Sequence, residues 1–203
     1  MKQHTKSLTR NYLLRGTTYT CQLNRGVAPR FKGRILNAQR IFLLDENIFD
    51  KILDNGEIRD QLIELVGSGK IQLFGTWIDE QELQAMAPSK PDKWKQIQIL
   101  MSELNVKRQA VAGIIIGHAR LGEAKFIPSD ENHRLADAIR DASQDVNDMS
   151  LAMTAKIEGT TLVTEDQEMQ AKAKSIIQVE TLNWNEFTKA IRQFCHISVE
   201  VQP

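Results

Sequence analysis

Not one Asp or Glu occurs in the first 44 of the chain's 203 residues, a stretch that carries nine Lys or Arg. With 26 basic and 26 acidic residues in all, the rest keeps 17 basic against all 26 acids, so a formal net charge of zero divides into a +9 head and a −9 body. A basic head is the footprint of something that meets phosphate, and equally of a solvated extension; both readings stand. Cysteine is scarce. Cys21 and Cys195 lie far apart and match no metal-ligand spacing, which excludes a thiolate metal site and points to a reducing, cytoplasmic compartment. Long apolar runs are missing too: the longest, Ala110 to Gly117, falls far short of the roughly 20 residues that span a bilayer, so no membrane partner is expected. The amino terminus has no continuous apolar core of a secretory signal, although an acid-free, Arg-rich stretch with Ser and Thr keeps organelle import as a second option. There is no internal repeat and no low-complexity tract.

What is present suffices for one packed domain plus an extension, with hydrophobic residues at 41% and charged residues at 26%. The composition divides into a basic extension at 1–39, a domain at 40–191 and a tail at 192–203. Strand-like and helix-like segments alternate from about residue 40 to 190, the pattern of βαβ units around a parallel sheet. Arg40 to Leu44 reads as a strand. Ile48, Phe49, Ile52 and Leu53, then Ile58, Leu62 and Leu65, form a helical stripe broken at Asp54-Asn55-Gly56. Lys70 to Phe74 is a second strand, after which Thr76 and Asp79 form a helix-start capping pattern. A helix follows Pro91. Ala110 to Ala124 fits helix or strand by periodicity, and Ala together with His118-Ala119-Arg120-Leu121 favours helix. Lys125 to Pro128 is a short third strand, and Ser129 or Asp130 caps a helix through Leu135 and Ile139. Asp145 to Glu158 is a helix stopped by Gly159, with Asp148, Ala152 and Ala155 on one face that can approach a sheet closely. Thr164 with Gln167 gives another capping pattern and places Asp166 in the first helical turn. A strand at Ile176 to Val179 and a helix at Trp184 to Ile191 complete the domain. Tyr19, Cys21 and Leu23, and again Ile197, Val199 and Val201, alternate as half-buried strands do; these chain ends are expected to pair with each other or with a second subunit.

Four carboxylates stand where strands stop or helices begin: Asp45, Glu82, Asp148 and Asp166. Ligands of open parallel sheets bind outside the carboxyl ends of the strands. Acids that converge there raise one another's protonation, and a divalent cation resolves the repulsion. Capping and helix-dipole complementarity account equally for single acids near helix starts, but not for Glu82, nearly two turns into its helix.

LLDENIF at 43–49, TWIDEQEL at 76–83, DMSLAMTA at 148–155 and TLVTED at 161–166 resemble, in order and interval, the acidic motifs of the PIN domain family, including VapC-type toxins. The resemblance spans about 150 residues and leaves residues 1–39 and the tail outside. It implies a three-layer α/β/α fold with a central parallel sheet and a Mg²⁺- or Mn²⁺-dependent endoribonuclease acting on RNA. It also implies an antitoxin-like inhibitor protein as a partner; a homodimer is the second partner option, from the chain ends described above. Matched by position, Asp45, Glu82, Asp148 and Asp166 are the metal-binding acids, with Asp45 and Asp148 as core ligands; Asn47 and Thr164 support them. Glu46 departs from the pattern, which has Thr or Ser there, and either alters metal preference or points to solvent. Asp145 is a candidate fifth acid or a helix-start charge. A phosphotransferase of the haloacid-dehalogenase type also begins with Asp after a strand but wants a second Asp where Asn47 stands. The alternative within the family is a module that binds RNA or protein without cutting. Trp77 reads as a core residue or a base-stacking platform, Trp94 and Trp184 as core, and His118 and His133 as surface. Lys107, Arg108 and Arg120 line a phosphate path or a solvated face.

Overall fold

The structure is a computed structural model. It describes the backbone of residues 8–14, 17–23 and 124–125, and backbone with side chains through most of 39–112, 130–137 and 146–197. The chain forms two units, Met1–Ala38 and Gln39–Pro203.

In the first unit, β1 (Leu8–Leu14) pairs antiparallel with β2 (Thr17–Leu23) in a register that sets Tyr12 opposite Tyr19 and Leu14 opposite Thr17. The strand expected over 18–23 is therefore present within β2, and the neighbour it has among the described residues is the preceding segment. At the other terminus, Ile197 closes a helix; residues 198–203 lie outside those described.

The second unit is built on five parallel strands in the order β5-β4-β3-β8-β9: β3 (Arg40–Leu44), β4 (Ile71–Thr76), β5 (Lys107–Gln109), β8 (Thr161–Val163) and β9 (Thr181–Leu182). Alternation along β3 assigns its side chains to two cores. Phe42 and Leu44 pack with α1 (Glu46–Leu53), α2 (Gly56–Gly67), α4 (Pro91–Glu103) and α7 (Trp184–Ile197), through Ile48, Phe49, Ile58, Leu62, Ile97, Leu100, Phe187 and Ile191. Leu43 packs on the other side with α5 (Val146–Glu158) and α6 (Gln167–Lys172), through Leu151, Ala152, Ala155 and Met169. Helices on both faces make the three-layer α/β/α arrangement expected from the alternation of elements.

Local signals account for most boundaries. Asn55 separates α1 from α2, accepting the Ile58 N–H at 3.1 Å. Thr76 and Asp79 close a capping box on α3 (Trp77–Met86). Pro91 stands in the first turn of α4, where its missing N–H costs nothing. Gly159, at φ 65°, follows α5 and takes the left-handed conformation that side chains disfavour.

Four expectations are corrected. Residues 110–124 do not begin as a helix: Val111–Ala112 is strand β6, paired in parallel with β7 (Ala124–Lys125), and 113–123 lie outside the described residues. The Ala112 N–H donates to Thr154 Oγ1 at 2.8 Å, so β6 is tied to α5. Strand β7 belongs to that small sheet and not to the main one, and 126–128 are outside the described residues. Ile176 to Val179 is not a strand, because Ala173–Ile177 continues α6 as a π-helical turn that ends at Gln178 with φ 62°. Met169, Ala173 and Ile177 recur at four-residue intervals and are all buried in the second core, a helical stripe that the β-branched run conceals. Finally, Thr164 does not cap a helix; Asp166 caps α6, accepting the Met169 N–H at 2.8 Å.

Candidate metal centre

The chain runs from β3 through β4 to β5 on one side of the sheet and returns at β8 and β9 on the other, so strand order switches between β3 and β8. Such a switch opens a crevice at the carboxyl ends of the strands. The register places Leu44 opposite Val163, and the Asp45 N–H continues the ladder to the Val163 carbonyl at 3.0 Å. Asp45 and Thr164 therefore stand side by side at the switch, with Thr76 closing the neighbouring strand β4.

Asp45 is 5% exposed and caps α1, accepting the Glu46 N–H on Oδ1 at 2.9 Å. Its Oδ2 accepts Asn47 Nδ2 at 2.6 Å and the Thr164 hydroxyl. Asn47 in turn accepts the Glu165 N–H at 3.1 Å, so this side chain ties the end of β3 to the end of β8. Asn47 and Thr164, the two residues expected beside the acids, both donate hydrogen bonds to Asp45.

Asp79 is 1% exposed. Its Oδ2 accepts the Thr76 N–H at 2.6 Å and the Thr76 hydroxyl at 2.7 Å, while Oδ1 is buried with no hydrogen-bond partner among the described residues. Burial raises its pKa well above the ordinary carboxylate value; Asp45 and Glu82 add to the rise and the two Thr76 bonds oppose it. Glu46 is half-buried, and its pKa is pushed up to about 10, first by burial, then by a hydrogen bond with Asp45 and by the charges of Asp45, Glu82 and Asp79. A carboxylic acid bonded to a carboxylate among further acids holds a proton that a cation would otherwise replace.

Asp45, Glu46 and Asp79 each offer one oxygen such that all three lie within 4.8 Å of one another. Two of these were not among the predicted ligands: Asp79 was assigned to the capping box and Glu46 was left between metal and solvent. Glu82 is half-buried beside them, close enough for its charge to act on both Glu46 and Asp79, and its Oε1 accepts Asn147 Nδ2 at 3.1 Å. That bond brings the first turn of α5 to the acids, and Asp148, half-buried, is the residue after Asn147. Asp166 stands apart from the close trio: it is exposed, its Oδ1 caps α6, and its N–H donates to Thr164 Oγ1 at 3.0 Å.

Among the other candidates, Trp77 is 6% exposed and packs with Ile78 and Val111, which favours the core role over base stacking. Trp94 and Trp184 lie against the first core. His133 is exposed, Lys107 is exposed and Arg108 pairs with Glu80 at 2.7 Å; His118, Arg120 and Asp145 lie outside the described residues.

The donor set fits a hard divalent cation. All the donors are carboxylate oxygens, the chemistry that suits Mg²⁺, Ca²⁺ and Mn²⁺, and the orphaned Asp79 Oδ1 is a buried acceptor in want of a positive partner.

No protein-family model matches the chain, and no curated protein matches it. Among solved structures, it is similar to PAE2754 from Pyrobaculum aerophilum, at 16% identity over 76% of this chain and 98% of that one, with a TM-score of 0.48. It is also similar to VapBC2 from Rickettsia felis, whose structure is bound to a promoter DNA fragment, at 18% identity over 71% and 98% of the two chains, with a TM-score of 0.47. VapBC-1 from nontypeable Haemophilus influenzae gives 16% identity, 71% and 98% coverage, and a TM-score of 0.44. At these values the likeness concerns the course of the backbone alone.

Proposed function

We propose that the crevice between β3 and β8 holds Mg²⁺ or Mn²⁺ and that the chain is a metal-dependent endoribonuclease of the PIN type. The observation that carries this is the trio of buried Asp45 and Asp79 with half-buried Glu46 at the strand-order switch, with Asp79 Oδ1 lacking a hydrogen-bond partner among the described residues. Asp45 and Asp79 would hold the ion, with Glu82 and Asp148 beside them; Asp166 would act from the rim. A divalent ion there supplies positive charge for a backbone phosphate and lowers the pKa of an adjacent water.

The chain's own residues supply positioning. Thr164 and Asn47 hold Oδ2 of the Asp45 carboxylate, and the Glu46 N–H holds Oδ1. Thr76 occupies one oxygen of Asp79 and leaves the other for a ligand. Asn147 restrains Glu82. Carboxylates held this way need little reorganisation when charge develops nearby, which is where preorganised sites gain their advantage. The nine basic residues ahead of Asp45 supply a phosphate-binding arm that the acidic pocket itself lacks. The motifs extend the proposal to a toxin silenced by an inhibitor protein.

Cleavage of an RNA pool containing structured and single-stranded members tests the reading. Wild type is expected to cut with Mg²⁺ or Mn²⁺, and cutting should vanish with chelator, with Asp45→Asn and with Asp148→Asn. A folded wild type that binds metal and leaves every RNA intact would replace the nuclease by an RNA- or protein-binding module.

A further inference from the structure

Glu46 occupies the first position of α1, where an acid ordinarily complements the helix dipole from the solvent side. Here its carboxyl group turns into the crevice instead, bonded to Asp45 and with an oxygen inside the 4.8 Å trio. Among the described residues, the charged groups acting on it there are acidic: Asp45, Glu82 and Asp79. Independently, Asp79, a member of that trio, is 1% exposed and keeps one buried oxygen with no hydrogen-bond partner among the described residues.

We infer that Glu46 is itself a metal ligand of this chain and that the resulting three-carboxylate pocket selects Mn²⁺ over Mg²⁺. This rests on the proposal that the crevice holds a divalent cation. Mg²⁺ gives up its waters reluctantly and is usually held through one or two carboxylates, keeping the rest of its octahedron hydrated. Three carboxylates in one pocket, two of them buried and Glu46 half-buried, with Glu82 beside them, replace more of that water than Mg²⁺ readily releases. Mn²⁺ shares the preference for oxygen donors and sits at the weak-binding end of the transition-metal order, so a gain in its affinity has to come from added ligands. An uncharged residue at position 46 would leave the two-acid core that suits both ions.

Calorimetric titration of the full-length chain with Mn²⁺, Mg²⁺ and Ca²⁺, each as the chloride at one fixed pH, tests the inference without reference to activity. Wild type is expected to bind Mn²⁺ roughly tenfold or more tightly than Mg²⁺, and Glu46→Gln to lose roughly tenfold for Mn²⁺ with a much smaller change for Mg²⁺. Gln keeps the size of the side chain, and a thermal melt of each variant verifies the fold. Equal losses for both ions would mark Glu46 as a source of general negative potential and overturn the inference, as would unchanged binding or a wild-type preference for Mg²⁺ or Ca²⁺. Failure of wild type to bind any of the three would overturn the metal site as well, whereas Asp45→Asn abolishing binding while Glu46→Gln does nothing would overturn the role of Glu46 alone.

Discussion

Replacing Asp79 by Asn should reverse its effect on stability according to whether metal is present. Asn keeps an acceptor for the Thr76 N–H and hydroxyl, so the capping box survives. What changes is the second atom: an orphaned Oδ1 becomes an Nδ2 donor beside Asp45, Glu46 and Glu82. Relieving a buried, unsatisfied polar atom is worth about 1–3 kcal/mol, so the metal-free variant should be more stable than metal-free wild type by about that amount. With metal the order inverts. A ligand at a hundredfold its Kd stabilises wild type by about 2.7 kcal/mol. For a folded unit of this size, that corresponds to a rise of about 5–11 °C in Tm. The variant, having lost a charged ligand, should show little of that rise.

Thermal melts of both proteins in chelator and in Mn²⁺ read the whole cycle. If Asp79 is only a helix cap, Asn should destabilise slightly in chelator and leave the metal-induced shift intact. That pattern would refute the assignment, because nothing in a purely structural role couples position 79 to added metal.

Other consequences follow from the same geometry. Asn47→Ala removes the bonds to Asp45 and to the Glu165 N–H and should cost about 1–3 kcal/mol, read from the urea midpoint at unchanged m-value. Ala152→Leu overfills the fully buried position at which α5 meets the sheet and should cost about 1–3 kcal/mol in the same assay. Phe187→Ala removes the ring that meets Phe42 edge-on with centroids 5.2 Å apart, and should cost about 3–5 kcal/mol. Deleting residues 1–34, which hold eight of the basic residues, should weaken RNA binding and flatten its dependence on salt; an unchanged slope would show that the arm does not meet phosphate.

Elements with a strong local signature were legible in the sequence. The break at Asn55, the capping box at Thr76 and the stop at Gly159 rest on interactions within a few residues, and the strands at Arg40 and Ile71 show as short apolar runs although their ladder partners are distant. Elements that depend on distant partners were not legible. Val111–Ala112 is a strand because Ala124–Lys125 pairs with it and Thr154 accepts the Ala112 N–H, both far along the chain. The apolar stretch at Ile176 has β-branched composition but is wound by the burial of Ala173 and Ile177 against the second core. Propensity was overruled there by packing, as it is wherever a helical stripe and a strand-like composition coincide.

The site divides along the same line. Asp45 was identifiable as a candidate because it directly follows a strand, at the carboxyl ends where parallel sheets bind ligands. Asp79 was not, because at the third position of a helix the same residue satisfies a capping box, and the motif is complete without any ligand. Only its burial, with one oxygen bonded twice and the other not at all, separates the two roles. Glu46 was obscured in the opposite way: at the first turn it has an ordinary reason to face water, and its nearness to Asp79, 33 positions along the chain just past the end of the neighbouring strand, shows only in the fold. Asp166 carries the reverse lesson. Its place in the motif matched a ligand, yet its oxygen caps α6 and its side chain is exposed. A capping residue and a metal ligand can be the same carboxylate, and under the proposed metal site the oxygen left without a backbone partner is the one available to an ion.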